Sequence, residues 1–138
     1  WLGAMPPSVV TPASTAETVD AMLADMQLPA AFDASSLRND ASVHDRYQLG
    51  ARVAGAVACA WIERLIDARR EGNERAVRDA AAALRGSKDW AILREMRAEG
   101  DYPEVLWQYA DEVAGKTGVV ASKAGSVEAS YRSALGCP

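Results

Sequence analysis

The sequence predicts an all-α fold, a bundle of about five or six helices around one long central helix. Three observations lead to this prediction. Apolar residues recur at helical spacing in most segments between glycines or prolines, and no segment shows the sustained alternation of apolar and polar residues that is typical of a strand. Residues 53–62 are apolar on every side of a helix, which indicates a helix enclosed by its neighbours.

The central helix is predicted over about 43–71. Ser42 and Asp45 supply capping side chains at its start, and Gly72 closes it. At the rise of an α-helix its length would be roughly 40 Å. Small residues four apart form one line on this helix, along which a neighbouring helix can approach closely: Ala51, Gly55 and Cys59.

The segment before the first helix has a different composition. Residues 1–13 contain three prolines and no helical period, which predicts an extended Pro-rich linker before a single helical domain over 14–138. Ser14 and Glu17 have the spacing of a capping box and predict the start of the first helix, which Pro29 ends.

Irregular chain is predicted over 29–41, with Phe32 and Leu37 as its anchors on the core. Beyond the central helix, three helices are each predicted to begin at a polar cap and to end at a glycine. Their predicted starts are Asn73, Ser87 and Asp101, and their ends are Gly86, Gly100 and Gly115. Ser126 is predicted to begin a last helix.

Composition and charge narrow the class of protein. Apolar residues make up 49% of the chain and charged residues 25%, as in ordinary globular proteins. The net charge of −4 is unlike the basic footprint of nucleic-acid-binding proteins, so no nucleic-acid partner is expected. Five arginines could form a local basic face, but a solvated face of alternating charges is the favoured interpretation: Arg64, Arg69, Arg70, Arg75 and Arg78. The apolar stretch 53–62 is shorter than the ~20 residues of a membrane span, so this segment is expected not to cross a membrane.

The two cysteines, Cys59 and Cys137, lie far apart and lack the spacing of a metal site. One interpretation is a disulfide that ties the C-terminus to the central helix and indicates an oxidising compartment. The other is a buried Cys59 and a free thiol at Cys137. The disulfide is favoured, because an exposed free thiol beside the chain end is a liability.

Motifs for catalysis or cofactor binding are weak. Gly115, Lys116 and Thr117 resemble the end of a phosphate-binding loop, but the glycine required five residues earlier is missing and a helix precedes them. The single histidine, His44, stands beside Asp45 and is expected on the surface. We therefore expect no metal site and no cofactor.

The best candidate site in the sequence is a helix junction in the second half of the chain. Trp90 lies on an inner helical stripe, whereas Trp107 lies at the edge of a buried face, where a ring can serve both core and recognition. Candidate binding residues are Trp107, Tyr102, Trp90, Glu95 and Glu104. The carboxylates Glu95, Glu99, Asp101 and Glu104 cluster at the same junction, although two of them also serve as caps.

Residues 73–86 and 87–100 can also be drawn as a helix-turn-helix that would present Lys88, Arg94 and Arg97 to DNA. Simple antiparallel packing of two helices explains the same pattern. The acidic balance of the chain favours that simpler explanation.

Two stretches, 47–52 through 61–64 and 89–94 through 102–107, resemble the cores of uncharacterised proteins from high-GC Gram-positive bacteria. The resemblance implies a domain exported behind a signal or membrane anchor and implies no activity. It agrees with the Pro-rich segment after Trp1, which would suit a stalk with further chain before it.

Three functional hypotheses follow. The leading one is a non-enzymatic, extracytoplasmic helical module that binds a protein or an envelope component through an exposed apolar patch near Trp107. The second is an enzyme without histidine, in which carboxylates near Glu95 and Glu104 act with Arg52 or Arg94. The third is a cytoplasmic DNA-binding regulator.

Overall fold

The computed structural model of the protein describes residues 9–40, 42–43, 45–115 and 131–137. Within these residues the fold is all-α, as predicted, and the described chain forms no β-strand. One isolated antiparallel bridge joins Val9 to Asp45.

Six α-helices follow one another along the described chain. They are α1 (Thr15–Leu23), α2 (Ser35–Arg38), α3 (Arg46–Glu71), α4 (Glu74–Gly86), α5 (Ala91–Arg97) and α6 (Tyr102–Gly115). Two 3₁₀ turns, Pro12–Ser14 and Ser87–Asp89, precede α1 and α5. Residues 131–135 form a last described helical turn, and we refer to 131–137 as the C-terminal segment.

Helix α3 is the centre of the bundle, because α1, α4, α5 and α6 all pack against it. Its predicted apolar stretch is buried: Val53, Val57 and Ile62 have no exposed surface. No helix of the described chain has the length and apolarity that a membrane span requires.

The ends of α3 confirm two predicted caps and correct a third. Gly72 closes the helix with a positive φ of 71°, a conformation that glycine adopts without strain. Asp45 is the N-cap, as predicted, and its carboxylate accepts a hydrogen bond from the Gln48 amide at 2.9 Å. Ser42 is not a cap, because its hydroxyl donates to Asp40, and the helix begins at Arg46 instead of at about residue 43.

The capping box predicted for α1 is also wrong. Ser14 is the N-cap residue of α1, so the predicted start is confirmed, but its hydroxyl bonds to Thr11 in the preceding 3₁₀ turn and makes no capping bond to α1. Helix α1 ends at Leu23, before the predicted stop at Pro29. Val10 is only 3% exposed, so the helical domain includes residues that we predicted as part of an extended linker.

The later helices largely follow the prediction. Asn73 caps α4 by accepting from the Ala76 amide, and α4 ends at Gly86. Ser87 does not start a helix, because its hydroxyl donates back to Leu84 and the chain makes a 3₁₀ turn. Ser126 lies outside the described residues.

The predicted line of small residues on α3 is covered by the C-terminal segment. A Cβ atom on Gly55 would lie 2.4 Å from the Tyr102 hydroxyl and 2.5 Å from the Leu135 carbonyl oxygen, so only glycine allows this approach. One turn further on, Cys59 forms a disulfide with Cys137, which confirms the predicted pairing. The close contact predicted along this line is therefore made by the C-terminal segment.

Candidate functional site

The three candidate aromatic residues of the sequence have structural roles. Trp90 is only 3% exposed and lies in the core. The half-buried Trp107 donates its indole N–H to the Ser87 carbonyl at 3.0 Å, and the Tyr102 hydroxyl donates to the Leu135 carbonyl at 2.8 Å. Each of these two polar side-chain atoms thus joins segments that are distant in sequence.

The two candidate carboxylates belong to separate surface ion pairs. Glu95 pairs with Arg46 of α3 at 2.6 Å, and Glu104 pairs with Arg97 of α5 at 3.5 Å. Both carboxylate side chains are at least half exposed, so water screens these pairs.

The surface around Trp107 is a shallow depression with a charged rim. The Arg97 guanidinium lies 5.8 Å from the centre of the Trp107 ring. Among the described residues, the large hydrophobic side chains that are exposed are Val9 and Leu28, neither of which lines this depression. The exposed apolar patch predicted near Trp107 is therefore not present in the described chain.

The arginines of the enzyme hypothesis are paired elsewhere. Arg52 forms an ion pair with Asp40, and Arg94 pairs with Asp89 at 3.1 Å. Neither arginine is paired with Glu95 or Glu104, so the predicted group of carboxylate and arginine is not assembled.

The cations of the helix-turn-helix hypothesis are neutralised by neighbouring carboxylates. The ion pairs are Lys88–Asp111, Arg94–Asp89 and Arg97–Glu104. The apolar side chains of α5 are buried, since Ile92, Leu93 and Met96 are at most 3% exposed. Helix α5 is therefore packed on the core, as expected if residues 73–86 and 87–100 are simply two helices packed against each other.

Arg69 of the predicted basic face has a structural role, and so does Arg85, which was not part of that prediction. Arg69 donates to the Val113 carbonyl at 2.9 Å, and Arg85 donates to the Ala114 carbonyl at 3.0 Å. Both carbonyls belong to the last turn of α6, where cations are favoured by the helix dipole. These two arginines therefore fix the end of α6 against α3 and α4.

An extensive concave surface lies along one face of α3, and we call it the α3 cleft. It has two lobes of about 670 Å³ and 740 Å³, which share Ala31, Phe32, Ala60 and Glu63 as lining residues. Because they share these residues, the lobes form one elongated depression with Phe32 between them.

Small side chains create the depth of the α3 cleft. Ala56 and Ala60 lie one helical turn apart on the same face of α3 and form part of its floor. Larger side chains at these positions would fill the space between α3 and the segment opposite.

The segment over residues 27–40 forms the wall opposite α3. Phe32 and Leu37 are half-buried and pack against the core, as predicted for the anchors of this stretch. The Trp61 indole donates to the Gln27 carbonyl at 2.8 Å and so fixes the start of this wall. The ion pair between Arg52 and Asp40 joins its other end to α3.

The C-terminal segment borders the first lobe. Gly136 and Cys59 line this lobe, so the disulfide lies at its edge. Arg132 forms an ion pair with Glu63, a residue that both lobes share. Tyr131 and Leu135 are buried, which anchors the segment beneath these contacts.

Carboxylates outnumber cations in the lining of the α3 cleft. The carboxylates are Asp33, Asp40, Glu63, Asp67 and Asp79, and the cations are Arg52 and Arg64. The carboxyl group of Asp33 accepts hydrogen bonds from the hydroxyl and amide of Ser35, which lower its pKa.

The pKa of Asp40 is lowered in the same way, first by hydrogen bonds from Ser42 and further by Arg52. Both aspartates therefore stay ionised at neutral pH and below it. Groups of this kind supply fixed negative charge, whereas a general acid needs a pKa that is raised toward neutrality.

Metal and nucleotide chemistry receive no support from the described chain. Its histidine, cysteine and carboxylate side chains form no group of three that could hold a metal ion. His44 lies outside the described residues, as do Lys116 and Thr117 of the loop that resembles a phosphate-binding motif.

No family model, curated protein or solved structure matches the chain.

Proposed function

We propose that this domain is a non-enzymatic binding module that works in an oxidising, extracytoplasmic compartment and holds a segment of a partner protein in the α3 cleft. The construction of the cleft carries the proposal. Its floor of small apolar side chains lies between walls that are fixed independently of any ligand. Preformed concave surfaces with an apolar floor and a few polar groups are the usual form of a binding site.

The cleft is supported by bonds at several points. Trp61 and Arg52 hold the wall opposite α3, and the disulfide holds the C-terminal segment. A partner that binds a preformed surface does not have to supply the free energy for ordering it. This arrangement favours recognition of a segment from another chain.

The proposed location is supported by the disulfide between Cys59 and Cys137. Disulfides that serve a structural role persist mainly in oxidising environments. This bond closes a sequence separation of 78 residues, so it constrains most of the domain. A cytoplasmic location would keep both thiols reduced and remove that constraint.

A photo-crosslinker in the cleft tests the proposed binding. We would place p-benzoylphenylalanine at the exposed Ala31, which lines both lobes, and, as a matched control, at the exposed Ala82 of α4, and irradiate cells of the organism that makes the protein. The expected result is an adduct from the Ala31 protein only, with the crosslink mapped by mass spectrometry to one contiguous segment of one partner. Adducts that are identical from both positions, or none from Ala31, would overturn the proposal.

A further inference from the structure

The charges around the α3 cleft specify the chemistry of its occupant. Resting on the proposed function, we infer that the cleft binds an extended segment of a partner protein that carries lysine or arginine side chains. The excess of carboxylates in its lining disfavours anionic occupants such as a phosphate-rich membrane surface or a nucleic acid.

Three of the lining carboxylates have no cation as a partner among the described residues: Asp33, Asp67 and Asp79. By contrast, Asp40 and Glu63 are each paired with an arginine. The unpaired carboxylates occur in both lobes, so each lobe offers negative charge.

Asp67 and Asp79 lie at corresponding places on two neighbouring helices. Each is six residues from Asn73, where the chain turns from α3 into α4, and both line the second lobe. The short connection makes the two helices antiparallel neighbours, so positions equally far from the turn lie at the same height of the pair. A single cationic group in this lobe would be attracted by both.

The floor between the carboxylates selects the type of cation. Lysine and arginine have long aliphatic stems that pack on apolar surface while their charged ends stay in water. The alanine floor and the half-buried Phe32 suit such stems, and the carboxylates at the rim suit the charged ends. A metal ion would instead require oxygen ligands grouped around one point, and the described residues form no such group.

The elongated shape indicates an extended segment rather than a single side chain. Two lobes in line, with Phe32 between them, leave room for side chains on either side of this ring. An extended chain projects successive side chains to alternate sides, so cations two or four residues apart would point the same way.

A titration with short peptides tests the inference. The probe is a heptapeptide with capped ends, in which lysines at the second and sixth positions flank a central leucine and alanine fills the rest. Its matched controls carry glutamine or glutamate in place of both lysines. Binding is followed by amide chemical shifts of the ¹⁵N-labelled, oxidised domain at low salt and at about 150 mM salt, since exposed charges are screened over about 8 Å there.

We expect the lysine peptide to shift amides of residues that line the α3 cleft and the glutamate peptide to shift none. Asp67→Asn combined with Asp79→Asn should weaken binding of the lysine peptide about three- to tenfold. The control variant combines Glu74→Gln with Glu99→Gln. It has the same net charge, its changes lie at exposed positions outside the cleft, and it should bind as the wild type does.

The possible failures are distinguishable. If the glutamine peptide shifts the cleft residues as strongly as the lysine peptide does, or if both double variants weaken binding equally, the inferred cation specificity is wrong and the proposed binding function stands. If no peptide shifts these residues and the Ala31 crosslinker also captures no partner, the proposed function fails as well. A crosslinked partner segment without lysine or arginine would overturn the inference alone.

Discussion

Reduction of the disulfide should cost the domain a large part of its stability. The bond between Cys59 and Cys137 closes a loop of about 78 residues. Loop-closure entropy for a loop of this size corresponds to about 4.5 kcal/mol at 25 °C. With the entropy of unfolding that is typical of 138 residues, this free energy lowers Tm by about 15 °C.

Calorimetry of the oxidised and the reduced protein measures this difference, and Cys137→Ala separates the crosslink from the reductant. The variant should unfold near the temperature of the reduced wild type, and adding reductant should not change it further. A wild-type shift below about 7 °C would overturn this expectation, because typical disulfides contribute ~2–4 kcal/mol even where the entropic value is not reached. An equal effect of reductant on the variant would also refute it.

Three further changes test individual contacts. Gly55→Ala should destabilise the domain by about 1–3 kcal/mol, because its Cβ would collide with the Tyr102 hydroxyl and a backbone carbonyl. Gly86→Ala, where no atom lies within 4 Å of the new Cβ, should be neutral or stabilise the domain by about 0.5–1 kcal/mol. Equal urea midpoints for Gly55→Ala and Gly86→Ala would contradict both expectations. Tyr102→Phe should lower the free energy of unfolding in urea by about 1–2 kcal/mol and raise the rate of amide exchange in the C-terminal segment, because the Leu135 carbonyl oxygen loses its donor. Unchanged exchange would show that this hydrogen bond does not hold the segment. Asp40→Asn should destabilise the domain at neutral pH, because the lowered pKa of Asp40, which Ser42 helps to produce, contributes stability there. The difference in the free energy of unfolding from the wild type should shrink as the pH falls below 3.8. A difference that is the same at pH 7 and at about pH 2.5 would contradict this expectation.

The sequence carried enough information to predict the central helix and its disulfide. The fully apolar stretch of α3 could only be satisfied inside a bundle, and Gly72 marked its end with a residue suited to positive φ. Gly55 and Cys59 lay on one line of small residues, which correctly indicated a close contact on that side. The sequence did not show which element would make this contact, because the apolar pattern of the C-terminal segment is too short to predict where the segment packs.

The errors in the predicted capping bonds came from polar residues that had more than one possible partner. Ser14 and Ser42 could each cap the helix that follows, but each found a partner on its N-terminal side instead. Competition of this kind between local hydrogen bonds is typical of serine. Asp45 became the start of α3 where the chain also forms a bridge with Val9, a tertiary contact that spacing alone does not reveal.

The site near Trp107 was predicted from residue types, and the structure shows why residue type misled. Trp107 and Tyr102 use their polar atoms within the fold, which leaves them little freedom to serve a ligand. The α3 cleft depends instead on small residues and on the distance between two segments. Phe32 and Leu37 were recognised as anchors, but the gap that they leave above Ala60 is a property of tertiary packing.

We propose that this domain works with its disulfide closed, outside the reducing environment of the cytoplasm. The most direct test is to trap free thiols with an alkylating agent in intact cells of the producing organism and then measure the intact mass of the purified chain before and after reduction. Cys59 and Cys137 should be alkylated only if reduction comes first, and the unreduced mass should be that of a monomer with one internal disulfide. Alkylation of both thiols without reduction would contradict the proposed location and the closed form of the domain.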